Sequence, residues 1–182
     1  MVRTFVLHVN EDPDVLGRVT GLCRRRAFAI ESLAIGRTET AGVLRLTVLV
    51  DTDEAGGRRL AAQLARLVDV IRIEDVTDRP AVSRDLAMIK VSAAPDSRAD
   101  IMQLVQVFRA RVVDVAADSL VIETTGTEDK VDGLLQVLRP FGVMEMVRTG
   151  RVVMCRGSQE SPPVASAGQG GTGAAQAGSP AN

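Results

Sequence analysis

Residues 43–51 read VLRLTVLVD, and their alternation decides the fold. Leu44, Leu46, Val48 and Val50 share one side of an extended chain, while Arg45 and Thr47 point away. One apolar side and one polar side predict an antiparallel sheet with a single covered face. Just upstream, IESLAIGRT (30–38) reads as a second strand, joined to the first by a turn near Glu39 to Gly42. TFVLHV (4–9) alternates as well, with Phe5, Leu7 and Val9 on one side. After Asp12-Pro13, Val15, Leu16, Val19, Leu22 and Cys23 recur at helical spacing. Downstream, Leu60, Leu64, Leu67 and Val68 mark another helix, and VDVIRIEDV (68–76) a last strand. The order is βαββαβ.

Residues 84–148 repeat it. The strand DLAMIKVSA (85–93) precedes a helix carrying Ile101, Leu104, Val105 and Phe108. RVVDVAA (111–117) and SLVIETT (119–125) form a strand pair, and Val131, Leu134, Leu135 and Leu138 lie on a further helix. Pro140 stops that helix, and GVMEMVRT (142–149) supplies the closing strand. The pattern predicts an α+β protein of two tandem ferredoxin-like βαββαβ sandwiches, with TDRPAVS (77–83) as linker. We place the domains at 1–78 and 79–157, followed by a low-complexity tail at 158–182. The tail is Gly, Ala, Ser, Pro and Gln with hardly a bulky apolar group, so it is expected to be disordered. Its GQGGTG lacks the lysine, preceding strand and following helix of a phosphate loop.

Composition narrows the function. The 182 residues carry a net charge of −1 and are 46% hydrophobic, with no Trp, no Tyr and four Phe, so the core is aliphatic. One histidine, His8, and two distant cysteines, Cys23 and Cys155, give no metal-ligand set, no disulfide framework and little acid–base chemistry. RNA-binding sheets of this topology need aromatics on the central strands, where this chain has Leu, Arg and Thr. The first residues lack the apolar stretch of a secretory signal, and no run is long enough to span a membrane. The expectation is a cytoplasmic protein with no nucleic-acid or membrane partner, leaving sensing or scaffolding.

The best-placed site is the turn Asn10-Glu11-Asp12-Pro13-Asp14 before the first helix, because a helix N-terminus offers N–H groups to an anion. Plain capping competes with that reading: Asp12 is a good N-cap, Pro13 suits the first helical position, and Asp14 adds charge to the first turn. His8 reads as an ordinary outward strand residue, Cys23 as a small core residue and Cys155 as a free thiol. Arg24-Arg25-Arg26 reads as a solvated helix face.

Several strings taken together give more. LGRVTGLCRRRAFAIESLAIGRT, QLARLVDVIRIEDVT, RDLAMIKVSA, the run from Phe108 to Val152 with TGTEDKVD and E-x-x-RTG, and the final MCRG occur in order over residues 2–157. This set resembles the small, regulatory subunit of acetohydroxyacid synthase, also called acetolactate synthase. The resemblance implies an N-terminal ACT domain that forms a homodimer with a second copy, followed by the smaller C-terminal domain of these subunits. It also implies a partner, the large catalytic subunit. That subunit uses thiamine diphosphate, Mg²⁺ and FAD to condense two pyruvates, or pyruvate and 2-oxobutyrate, at the head of branched-chain amino-acid synthesis. The small subunit does no chemistry and holds no cofactor; it activates its partner and, in most members, confers inhibition by valine.

By family position the effector would meet Glu11, Asp12, Pro13, Asp14, Val15 and Leu16 of one copy and Ala29 and Ile30 of the other. The family usually has Asn at Glu11, Gly at Asp14, Asn at Ala29 and Gly-Tyr at Ala27-Phe28. These departures imply that valine feedback is weakened or lost. A stand-alone ACT-type sensor, or a purely structural dimer, are the alternatives. Arg37, Arg45 and Thr47 are outward candidates for a contact with the large subunit.

Overall fold

The computed structural model describes residues 1–157; the tail read as disordered lies outside the described residues. The first half runs β1 (Val2–Asn10), α1 (Val15–Arg25), β2 (Ala29–Arg37), β3 (Val43–Asp51), α2 (Glu54–Leu64) and β4 (Val70–Asp75). Its antiparallel sheet has the order β2-β3-β1-β4. Phe5, Leu7 and Val9 from β1 meet Leu46, Val48 and Val50 from β3 under Val19 and Cys23 of α1 and Leu60 and Leu64 of α2. Each such side chain removed from water contributes about 1.5–3 kcal/mol, so the alternating face fixes which side the helices cover.

The second half repeats the path with β5 (Ala81–Ser92), α3 (Arg98–Val107), β6 (Arg111–Val115), β7 (Ser119–Gly126), α4 (Glu128–Leu138) and β8 (Val143–Arg148). Its sheet has the order β6-β7-β5-β8, the same topology. Ile89, Val91, Leu120 and Ile122 pack beneath Ile101, Val105, Leu134 and Leu138. Arg139–Phe141 forms a 3₁₀ turn after α4, closed by Gly142 at φ +92°.

Three features differ from the sequence expectation. Helix α2 stops at Leu64, where two bonds, Arg66 N–H to Gln63 and Leu67 N–H to Leu64, tighten the chain, so Leu67 and Val68 lie in a turn. β5 begins at Ala81, inside the stretch read as linker, because a further strand, β9 (Val152–Cys155), pairs with Ala81 through Arg84. This ribbon lies on the side of the first sheet away from its helices, where Val153 packs with Val6 and Val76. Thr47, opposite Val6, is only 3% exposed, and its reading as an outward contact residue is corrected: it is buried within the fold.

The segment joining β8 to β9 locks the halves together. Thr149 ties it to β5 of the second half through hydrogen bonds with the Leu86 backbone, and the Arg151 N–H reaches the first half, donating to Ser32 Oγ at 3.1 Å. Gly150 lies against Leu33 so closely that a Cβ there would come within 2.7 Å of the Leu33 carbonyl oxygen. The E-x-x-RTG string thus owes its glycine to a close approach between halves.

Candidate functional site

The turn between β1 and α1 is held at both ends. Asn10 N–H donates to the Asp69 carbonyl and Glu11 N–H to the Gly42 carbonyl, both at 2.8 Å. Asp12 Oδ1 accepts from Asp14 N–H at 2.8 Å, and its carbonyl accepts from Val15 N–H at 3.2 Å. The reading of Asp12 as N-cap and Pro13 as first helical residue is corrected: the Asp12 side chain closes the turn before the helix, whose N-cap is Asp14 with no side-chain cap bond and whose first residue is Val15. Two first-turn donors, Leu16 N–H and Gly17 N–H, are of the kind an α-helix cannot satisfy from within.

The electrostatics of the turn are set by Arg18. Its guanidinium reaches Asp69 at 2.5 Å, Asp12 at 3.6 Å and Asp14 at 3.7 Å. The hydrogen bond to Asp69 outweighs desolvation and, with those acidic neighbours, raises the Arg18 pKa. Glu11 pairs with Arg37 at 3.0 Å. One cation among three aspartates leaves the helix N-terminus negative, which opposes an incoming carboxylate. Arg18 and Asp69 escaped the sequence reading; the signal available for Arg18 was its place four residues after Asp14.

The eight site residues separate into two groups. Val15 is buried in the core and can offer a ligand only its backbone, while Asp14 and Leu16 are exposed. Ala29 and Ile30 are remote from the turn: Ala29 pairs with Asp51, which pairs with Val2, whereas Asn10 at the turn pairs with Val43. The two groups therefore stand at opposite ends of the sheet, about 27 Å apart along the strands. Strand β2 is an edge with one neighbour, β3, and carries Ile35 at 47% exposure. An antiparallel pairing of β2 with β2 of a second copy would bring Ala29 of one copy toward the turn of the other.

Away from the turn, His8 lies on the partly covered face near Arg45 and Arg72. Burial, then the Arg45 and Arg72 charges, lower its pKa. Cys23 is buried in the first core, which raises the pKa of its thiol, and Cys155 sits in β9. Among the described residues no group of three or more His, Cys, Asp or Glu is placed to hold a metal ion, and no helix is long and apolar enough to cross a membrane.

A second polar cluster, between the halves, was not anticipated. Asp85 of β5, with a side chain only 5% exposed, accepts from Arg148 Nε at 2.9 Å and from Arg148 Nη2 on the same oxygen, Oδ2. Arg148 also reaches Asp132 at 2.9 Å, and Arg151 pairs with Glu128. Burial alone would lower the Arg148 pKa, but its bonds to Asp85 and the surrounding acids raise it. The missed signal was a charge in the buried phase of β5, two residues before Ala87 in the series Ala87, Ile89, Val91.

This fold defines a class: two ferredoxin-like units in tandem, the first of ACT type. A family model for the AHAS small subunit-like ACT domain matches residues 5–72, and one for the small subunit of acetolactate synthase matches residues 84–157. The chain is 42% identical over 160 residues to the probable acetolactate synthase small subunit of Archaeoglobus fulgidus, covering 88% of this chain and 100% of that one. It is 42% identical over 161 residues to the acetolactate synthase small subunit of Bacillus subtilis, covering 88% and 94%. The crystal structure of the small subunit from Thermotoga maritima superposes with a TM-score of 0.82 at 32% identity, over 87% of this chain and 99% of that one. The chain belongs to the acetolactate synthase small-subunit family.

Proposed function

We propose that the protein is a non-catalytic regulatory subunit that docks on the large catalytic subunit of acetolactate synthase in the cytoplasm and raises its activity. The condensation of pyruvate, with its thiamine diphosphate, Mg²⁺ and FAD, then belongs to that partner. Two copies pair through the β2 edges of their ACT domains, which the exposed Ile35 and the free edge of β2 favour. Such a dimer joins the two halves of the effector site, Glu11 through Leu16 from one copy and Ala29 and Ile30 from the other.

The observation that carries the regulatory reading is the negative turn. An amino-acid carboxylate at the α1 N-terminus would meet Asp14, Asp12 and Glu11, with Arg18 already shared among three acids. At about 4 Å one such repulsion costs roughly 1 kcal/mol in water and about 4 at intermediate dielectric, a loss of several-fold to about a thousandfold in affinity. Ala29 also offers no side-chain donor or acceptor to the ligand. Valine feedback is therefore weak or absent.

Reconstitution with the organism's catalytic subunit tests both parts, with acetolactate formation measured with and without valine. Activation by this chain without inhibition at micromolar valine is the expected result, and strong inhibition there would overturn the valine reading. Asp14→Gly with Ala29→Asn should move the complex toward sensitivity. A chain that changes nothing in its partner's rate would favour the stand-alone sensor.

A further inference from the structure

The cleft between the two halves has the makings of a second ligand site. It encloses about 350 Å³, within the range of roughly 300–1,000 Å³ typical of small-molecule sites. Glu31 and Ser32 come from the first half, and Asp85, Glu128, Arg148 and Arg151 from the second. Three carboxylates face two guanidinium groups, so the lining is negative by one charge.

One oxygen makes this more than a structural ion-pair network. Arg148 places both of its hydrogen bonds to Asp85 on Oδ2, while Oδ1, buried, has no hydrogen-bond partner. Arg151 Nε stands 4.0 Å from it, beyond hydrogen-bond reach. A buried carboxylate oxygen left in this state is destabilising. Arg151 itself is turned to Glu128 by its Nη2. The long Arg151 side chain therefore shields an unsatisfied acceptor in a negative cleft, and among the described residues no group of acids is placed to hold a metal ion.

We propose that this inter-domain cleft binds a small primary ammonium on a short aliphatic stem, which donates to Asp85 Oδ1 and pairs with Glu31 as Arg151 swings aside. The ammonium supplies the hydrogen bonds and the positive charge that the lining lacks. Because the walls come from both halves, binding clamps the ACT domain to the C-terminal domain. The site is separate from the turn at Glu11 to Asp14 and does not rest on the valine reading.

The probe is isobutylammonium chloride, with sodium isobutyrate as the anion of equal stem, titrated into the full chain and followed by methyl NMR at Leu49 in the cleft wall. Saturable shifts with isobutylammonium and none with isobutyrate are expected. Glu31→Gln and Asp85→Asn should each weaken binding about tenfold, whereas Arg151→Met, which removes the competing cation, should tighten it. Glu31 is exposed, so Glu31→Gln carries the test should Asp85→Asn fail to fold. The proposal is overturned by absence of saturable binding, by equal binding of isobutyrate, or by binding indifferent to Glu31→Gln and Arg151→Met.

Discussion

The two halves of the chain place an ion pair at the equivalent point of their two sheets with its charges exchanged. In the first, Arg3 of β1 donates to Asp75 of β4 at 2.7 Å; in the second, Asp85 of β5 accepts from Arg148 of β8. The registers agree, since Phe5 lies opposite Asp75 and Ala87 opposite Arg148. Bulges recur at matching places against the last strand, at His8/Val9 and Lys90/Val91, and each edge strand bulges after its second residue, at Ile30/Ser32 and Val112/Asp114. Both first helices also end alike, Ala27 at φ 56° and Arg109 at φ 50°. In each, the next residue donates to a carbonyl five back: Phe28 N–H to Cys23, and Ala110 N–H to Val105. Topology and backbone geometry are thus repeated, while the side chains at one position can have opposite charge provided their partners change together.

The halves differ in how completely the pair is satisfied. Asp75 gives Oδ2 to Arg3 and Oδ1 to the Thr77 N–H and hydroxyl. Asp85 leaves Oδ1 unbonded, at the boundary with the other half. The first is a closed structural bridge; the second borders a cleft. Removing the cation should break that comparison most visibly. Arg148→Met strands the more deeply buried acid and should cost about 3 kcal/mol, while Arg3→Met should cost about half as much because Thr77 still holds Asp75. Urea unfolding of the two variants checks the order, and equal losses would contradict it.

Gly150→Ala should come next, at about 1–3 kcal/mol, since its Cβ strikes the Leu33 carbonyl and pries the halves apart. Loss of cooperativity between the halves in calorimetry would accompany it. Ala27→Gly and Arg109→Gly should act in the opposite direction and alike, each stabilising by about 0.5–1 kcal/mol as the left-handed strain is relieved. A stabilisation in only one half would show that the two helix ends are not equivalent.

The smallest effect belongs to His8, which has no histidine counterpart in the second half. Its folded pKa lies below the ordinary 6.5, so the unfolded chain takes up the proton first as pH falls. Its contribution is full above about pH 6.5 and declines below that, toward the lower folded value. His8→Gln should remove this acid-side decline in Tm and leave the alkaline side unchanged.

The acidic turn was legible in residue types, since Asp12, Pro13 and Asp14 spell a helix start, although the helix begins two residues later than they suggest. What was not legible is that Arg18 and Asp69 close over it, because Asp69 is 51 positions from Arg18 and reaches it only when β4 returns beside β1. Ala29 and Ile30 were grouped with the turn by family position, yet within one chain the sheet holds them at its far end. An edge-to-edge pairing of two copies, as proposed above, would bring them together.

Local period, set by which face of each strand and helix is buried, determined the order of elements, the aliphatic faces and the duplication. The ordered strings within those elements pointed to the family. Tertiary structure alone decided that Thr47 is covered, that β9 exists as a strand and that Asp85 faces a cleft. Each depends on contacts between distant residues, as in the pairing of β9 with Ala81 through Arg84 or the bond from Arg151 to Ser32 across 119 positions. A pattern of neighbouring residues records burial; it does not record which distant surface does the burying.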